Sequence, residues 1–274
     1  MCHSFLIGWQ DVDPSDDVEV ADWIRERFHP FATDVGSVVA SGFEAYARIF
    51  HPAREPRQGP DQTEHEVRWS TVAGWNEKVV HPEMQFHSIG GPWHGKPQRR
   101  GPRIYEPRTG VLSDSQCRVL VQLLSKHTAT PNACWLCLWD GYGYLSAGGI
   151  AVLTARSSSD QQKLPSRPRR FASSDPSRHR SQPLFRDRKR VRLPNRDYLL
   201  FKAPATAASG WQDGPNLWWP EDRAWCVASE IDFPYTYVGG STKLIEEILG
   251  HPDLEALPAT LTDDITAMSD KINA

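Results

Sequence analysis

The sequence predicts an α+β protein, with a mixed or antiparallel sheet and several short helices packed on it. Three observations carry that expectation. Helix-like and strand-like segments alternate without the regular βαβ spacing of a doubly wound fold. Cys134 to Trp139 is apolar throughout and bounded by Pro131-Asn132 and Asp140-Gly141, the pattern of a buried strand. Pro215 to Gly250 joins another apolar run to an amphipathic helix through a glycine pair.

In chain order, Asp11 to Asp17 reads as a polar lead-in. Val18, Trp23, Ile24 and Phe28 suit a short amphipathic helix with acidic residues near its start, where the helix dipole favours them. Val35 to Ala40 and Ala45 to Phe50 read as two strands around Ser41-Gly42, a hairpin closed by His51-Pro52. Ala53 to Glu66 reads as a polar loop. Trp69 to Val80 reads as a helix capped by Ser70, Met84 to Ile89 as a strand, and Gly90 to Arg108 as irregular surface. Ser113 and Gln116 form a capping box, and Cys117, Leu120, Val121 and Leu124 continue one buried helical face. Gly148 to Thr154 is a candidate hairpin partner for the Cys134–Trp139 strand, and Tyr198 to Lys202 is a further strand.

Ala224 to Ile231 reads as a largely buried strand, and Gly239-Gly240 as a turn that a β-carbon would resist. Ser241 is then an N-cap, with Leu244, Ile245, Ile248 and Leu249 at helical spacing before Gly250. The tail from Leu254 predicts a short helix, frayed from Thr262 onward.

A chain of 274 residues, 39% hydrophobic and 24% charged, can bury a sizeable core as a single globular domain. Phe5 to Trp9 is too short for a signal-peptide core, and no apolar run reaches the roughly 20 residues of a membrane span. The expected location is cytoplasmic. Five cysteines are too few and too uneven for a secreted disulfide framework. Charge is unevenly spread. Between Arg156 and Arg192 there are twelve Lys or Arg against three Asp or Glu, a local +9 in a chain of net −3 that leaves −12 elsewhere. Residues 155–192 are thus expected to be a disordered basic insertion.

Four groups of residues are candidates for function. His81, Glu83 and His87 would share one face of a strand, and two imidazoles with a carboxylate suit a transition metal. The bland alternative is hydrogen-bonded histidines at strand ends. Cys134 and Cys137 have CxxC spacing, but a strand puts them on opposite faces and no second pair completes a zinc ribbon, which favours buried thiols. Glu230 and Asp232 share a face and could serve acid–base chemistry, or could be a strand end paired with Arg223. Trp218-Trp219, with one ring expected to point outward, could form an aromatic recognition surface extended by Tyr235 and Tyr237. No Walker loop, nucleophile elbow or dinucleotide fingerprint is present.

The blocks GFEAYARIFHP, HPEMQFHSI, CWLCLWDGYG, LPNRDYLLF and PNLWWPEDRAWCVASEIDFPYTYVGGS resemble an uncharacterised family of bacterial, actinobacterial, proteins. That family has no established activity, so no residue inherits a role. A fainter likeness, in Trp225 to Leu249, is to toxin-immunity proteins, whose late strand, glycine turn and C-terminal helix build an α+β body. Three functional expectations follow. The leading one is a non-catalytic recognition protein binding an unknown protein or small molecule near Trp218, Trp219, Arg223, Glu230, Asp232, Tyr235 and Tyr237. The second is a metal-assisted hydrolase using His81, Glu83 and His87 or the Glu230/Asp232 pair. The third, nucleic-acid binding through the basic insertion, is disfavoured by the acidic body. The cofactor is unknown at this level, and whether the protein is an enzyme stays open.

Overall fold

The apolar runs pair into one antiparallel sheet in a computed structural model that describes residues 12–30, 33–56, 65–94, 97, 99–142, 145, 185–194, 196–211 and 213–273. The strands are β1 (Pro14–Ser15), β2 (Ala45–Phe50), β3 (Ala53–Arg54), β4 (Glu66–Val67), β5 (Cys134–Trp139), β6 (Val191–Arg192), β7 (Asp197–Ala203), β8 (Leu217–Pro220), β9 (Cys226–Ala228), β10 (Tyr235–Gly240) and β11 (Ala256–Ala259). The helices are α1 (Asp22–Arg25), α2 (Trp69–Trp75), α3 (Asp114–Lys126) and α4 (Thr242–Leu249). Among the described residues the sheet order is β1-β7-β5-β8-β9-β10-β2-β11, with β6 beside β1 on the outer edge of β7. The β3–β4 pair is a separate ribbon. The architecture is α+β, as the mixed periodicities predict.

Both faces of the sheet are covered, which is why its strands read as near-continuous apolar runs rather than alternating ones. One face carries α3 and α4, which bring Leu120, Leu124, Leu244 and Ile248 against Leu136, Phe201, Trp218 and Val238. The other carries α1, α2 and the segment around Met84 and Ile89, packed on Cys137, Trp219, Tyr235 and Tyr237. Each fully buried Leu or Ile contributes roughly 1.5–3 kcal/mol. Strand alternation is obeyed: Cys134, Leu136 and Leu138 face the first layer, Trp135 and Cys137 the second.

The helix ends show where local signals suffice. Ser113 accepts from Gln116 N at 3.3 Å and Ser241 from Leu244 N at 3.3 Å, as caps should. Gln116 does not complete the capping box; its Nε2 donates to the Phe50 carbonyl at 2.8 Å and ties α3 to β2. At the other end of α3, the buried indole of Trp225 donates to the Leu124 carbonyl at 3.0 Å, which also accepts from His127 N at 3.1 Å. Ser70 does not cap α2. The first two amides of the helix, Trp69 N and Ser70 N, instead donate to the Glu255 carboxylate at 2.6 Å each.

Several expectations are corrected. Val35 to Ala40 is not a strand: Val35–Ser37 is a 3-10 turn in which Asp34 Oδ1 accepts from Ser37 N at 3.0 Å and Ser37 Oγ donates to Asp34 O. Trp69 to Val80 is helical only to Trp75, and Met84 to Ile89 is a run of turns. Gly239-Gly240 is no turn but the end of β10. Its need for glycine is close packing, since a β-carbon at Gly239 would lie 2.7 Å from Phe43 Cδ2 and 2.8 Å from Tyr46 Cε1. The segment after Leu254 is an edge strand on β2, where Pro258 is tolerated. Beyond Thr262 the chain is not frayed: Ser269, Asp270 and Asn273 are buried.

The expected hairpin partner Gly148 to Thr154 and most of the basic segment 155–192 lie outside the described residues. Its last part, from Phe185, is docked rather than loose. Phe185 packs edge-on against Phe201, and β6 joins the sheet. Asp16, just after β1, accepts from Lys189 N at 2.9 Å and Arg188 Nη1 at 3.0 Å.

Candidate functional site

A groove opens where β3, β4 and the first turn of α3 meet. Its first compartment, about 270 Å³, is lined by His51, Arg54, Glu66, Arg108, Ser113, Ser115 and Arg118, among others. The second, about 460 Å³, adjoins it through Pro52, Glu66, Ser115 and Arg118 and extends over Phe50, Gln116 and Val119 to Asp253 and Glu255. Three arginines, Arg54, Arg108 and Arg118, therefore line one compartment together with the carboxylates of Glu66 and Asp114, beside a helix N-terminus whose amides carry partial positive charge. Glu66 sits between the compartments and accepts from Ser115 Oγ at 3.0 Å on both carboxylate oxygens. The groove is polar and mixed in sign along its length, with Arg68 and Arg118 beside Asp253 and Glu255 in the second compartment and arginines in slight excess over carboxylates in the first.

A buried hydrogen-bond chain stiffens its floor. His51, 1% exposed, follows the end of β2 and places Nδ1 2.7 Å from the Arg108 carbonyl and Nε2 2.8 Å from Thr236 Oγ1 on β10. A carbonyl only accepts, so Nδ1 carries the proton and Nε2 accepts from Thr236. Thr236 Oγ1 in turn lies 2.7 Å from Ser229 Oγ, which donates to it. The chain Ser229 to Thr236 to His51 to Arg108 thus fixes the loop bearing Arg108 against the sheet. At its Ser229 end lies a hollow of about 20 Å³, room for about one water.

Burial pushes the His51 imidazole down to about 4, although its bond to the Arg108 carbonyl opposes this. The ring is neutral near pH 7, and the unfolded chain binds the extra proton between pH 6.5 and 4. Stability should therefore fall as pH falls through that window, by about 3 kcal/mol from this residue. In His51→Gln the protein should be weaker at pH 7 but should lose correspondingly less on acidification. Urea unfolding at pH 7, 5.5 and 4 checks this; equal declines in both proteins would contradict a neutral, buried ring.

The structure places the residues singled out from sequence elsewhere. Trp218, Trp219, Tyr235 and Tyr237 are 2%, 1%, 1% and 2% exposed, so the expected outward-facing tryptophan does not exist. The two indoles do point to opposite faces, but Trp218 meets Trp225 edge-on at 5.1 Å and Trp219 meets Trp23 edge-on at 5.9 Å. Arg223 is exposed at positive φ (57°), with its guanidinium 5.2 Å from the Trp23 ring rather than beside Glu230. The partner of Glu230 and Asp232 is Arg196, whose Nη2 reaches both carboxylates at 2.5 and 3.3 Å. That ion pair leaves Glu230 engaged instead of free for acid–base work.

His81, Glu83 and His87 do not converge, because their segment turns instead of extending. His81 Nε2 bonds Asp270 Oδ1 at 2.8 Å, Glu83 Oε1 accepts from Asp264 N at 3.0 Å, and His87 stacks on Trp93 at 4.4 Å. Among the described residues no group of three or more His, Cys, Asp or Glu side chains could hold a metal ion. Cys134 and Cys137 are free and buried on opposite faces. Burial drives the Cys134 thiol up to about 12 and Cys137 well above its usual value, so neither is a thiolate near neutral pH.

The groove residues were missed by sequence reasoning. Arg54 and Arg108 lie in stretches that read as polar loop and irregular surface, and only the capping box at Ser113 marked a helix N-terminus there. No helix among the described residues is long and apolar enough to cross a membrane. No family model, no curated protein and no solved structure matches the chain.

Proposed function

We propose that the protein is a non-catalytic recognition protein that holds an anionic group, a carboxylate or phosphate, in the compartment lined by Arg54, Arg108 and Arg118. The carrying observation is the gathering of three arginines at the N-terminus of α3, in a protein whose charge outside the basic segment is −12. The three arginines outnumber the two carboxylates of the compartment, Glu66 and Asp114, so an anion meets less repulsion there than on the acidic body around it. Arginine suits the task because its planar fork meets carboxylate or phosphate oxygens in pairs. A binding role fits better than catalysis, because both ring nitrogens of His51 are committed and the ring is too buried to reach a substrate.

The test is thermal unfolding of the wild type and Arg118→Gln against inorganic phosphate, citrate and acetate at constant ionic strength. An anion at a hundred times its Kd should stabilise the wild type by about 2.7 kcal/mol. The exposed Arg118→Gln should fold normally and bind about tenfold more weakly, the loss expected for one charged hydrogen bond. A wild type indifferent to all three anions, or a variant that responds equally, would remove the reading.

A further inference from the structure

We infer that the anion is the phosphate of a nucleotide, and that Tyr105, beside the first compartment, carries its base. This rests on the reading of that compartment as an anion site. The independent observation is a row of side chains across a small ribbon. Arg54 pairs with Glu66 on one side and bridges to Tyr105 on the other, both antiparallel. The bridge is closed by Tyr105 N donating to Arg54 O at 2.7 Å and Arg54 N to Tyr105 O at 3.3 Å. Residues directly opposite each other in an antiparallel pair send their side chains to the same face. Burial agrees: Ala53, Val67 and Ile104 are buried, whereas Glu66 and Tyr105 are exposed and Arg54 is half-buried. Glu66, Arg54 and Tyr105 thus form one row on the outward face, and the first two line the compartment.

Tyr105 is placed to receive a flat ring. It is 44% exposed, and among the described residues only Trp93 is another exposed aromatic ring. Trp93 is stacked on His87, whereas Tyr105 meets no aromatic ring among the described residues. Its neighbour is a cation, the Arg103 guanidinium 5.9 Å from the ring. Adjacent strands lie about 4.8 Å apart, so a ring laid on Tyr105 is next to the compartment wall at Arg54, a separation that one ribose spans. Arg108, three residues beyond Tyr105, is held in place for the phosphate by the His51 bond to its carbonyl. A bare phosphate or carboxylate would leave the tyrosine face unused. A nucleotide engages both features, since any base can stack on an aromatic side chain and arginine forks suit phosphate oxygens. One nucleotide fits better than a strand, because further phosphates would meet Glu66 and Asp114 or the acidic body outside.

The experiment is titration calorimetry of the full chain with AMP, ribose 5-phosphate and inorganic phosphate at constant ionic strength. AMP should bind at least tenfold more tightly than ribose 5-phosphate, the difference being the base. Tyr105→Ala changes an exposed side chain and should fold normally. It should lose that tenfold for AMP and keep the wild-type affinity for ribose 5-phosphate, and Tyr105→Trp should retain the preference. If ribose 5-phosphate binds as tightly as AMP, the nucleotide inference falls and the anion site stands. If Tyr105→Ala still prefers AMP tenfold, the base lies elsewhere and the inference falls with the role given to Tyr105. A tetranucleotide binding tenfold more tightly than AMP would overturn the assignment to a single nucleotide. If neither inorganic phosphate nor AMP binds, the reading of the first compartment fails as well.

Discussion

Trp219→Ala should destabilise the protein by about 3–5 kcal/mol, the range for deleting a large aromatic from a packed core. The residue is 1% exposed, sits opposite Trp135 in the β5–β8 register, and meets Trp23 edge-on at 5.9 Å. Its removal would leave a cavity bounded by β-strand backbone, which cannot collapse as a loop would. Arg223, 5.2 Å from the other ring of that pair, would lose its anchored platform too. Trp219→Phe should recover a large part of the loss by keeping an aromatic ring in the same layer. The measurement is the urea midpoint at unchanged m-value, which separates a loss of stability from a change in the denatured chain. A cost below about 1 kcal/mol for the alanine variant would mean the indole faces solvent, as surface substitutions seldom exceed that. The same variant also bears on function. Loss of ligand binding in Trp219→Ala would report unfolding and not a contact, so it could not have tested a recognition site at that residue.

The burial of Trp219 shows what a sequence can and cannot convey here. Strand alternation in Leu217–Pro220 correctly sends Trp218 and Trp219 to opposite faces. Alternation is local, however, and the cover on the second face comes from α1, α2 and Met84, Phe86, Ile89 and Ile104, far away in the chain. Elements whose signals are contained within them were legible: Cys134–Trp139 matches its strand at both ends, and the caps at Ser113 and Ser241 are in place. Elements set by distant partners were not. Ala256–Ala259 is a strand because β2 offers it an edge, and α2 starts where it does because Glu255 caps it. The groove is the extreme case, since Arg54, Arg108 and Arg118 belong to three segments with no shared pattern. What brings them together is a helix N-terminus, a two-residue ribbon and a histidine bond to the Arg108 carbonyl.

Asp270→Ala should cost about 3–5 kcal/mol, because it removes a buried carboxylate on which four donors converge. Gln85 N, Asn273 N, Asn273 Nδ2 and His81 Nε2 lie 3.2, 2.8, 3.0 and 2.8 Å from its oxygens, and Asp270 is 2% exposed. Burial alone would raise its carboxyl, but the hydrogen bonds from Asn273, Gln85 and His81 outweigh that and hold it below the ordinary value of 3.8. A lowered folded-state value makes this stability present above pH 3.8 and lost as pH falls through the folded-state value. The carboxylate holds the C-terminal segment in place: Asn273 Oδ1 accepts from Val79 N and Ser269 Oγ donates to the Glu83 carbonyl. Loss of the carboxylate should therefore speed hydrogen exchange at Val79 and Gln85 as well as lower the urea midpoint. Asp270→Asn keeps the volume and one acceptor oxygen, so it should fall between wild type and alanine. His81 gives the deciding control. Its ring is committed to Asp270, so His81→Ala and Asp270→Ala should be far from additive, the double variant losing less than the two singles combined. Strict additivity, with unchanged exchange at Gln85, would mean that the imidazole and the carboxylate act independently and that His81 serves some other group.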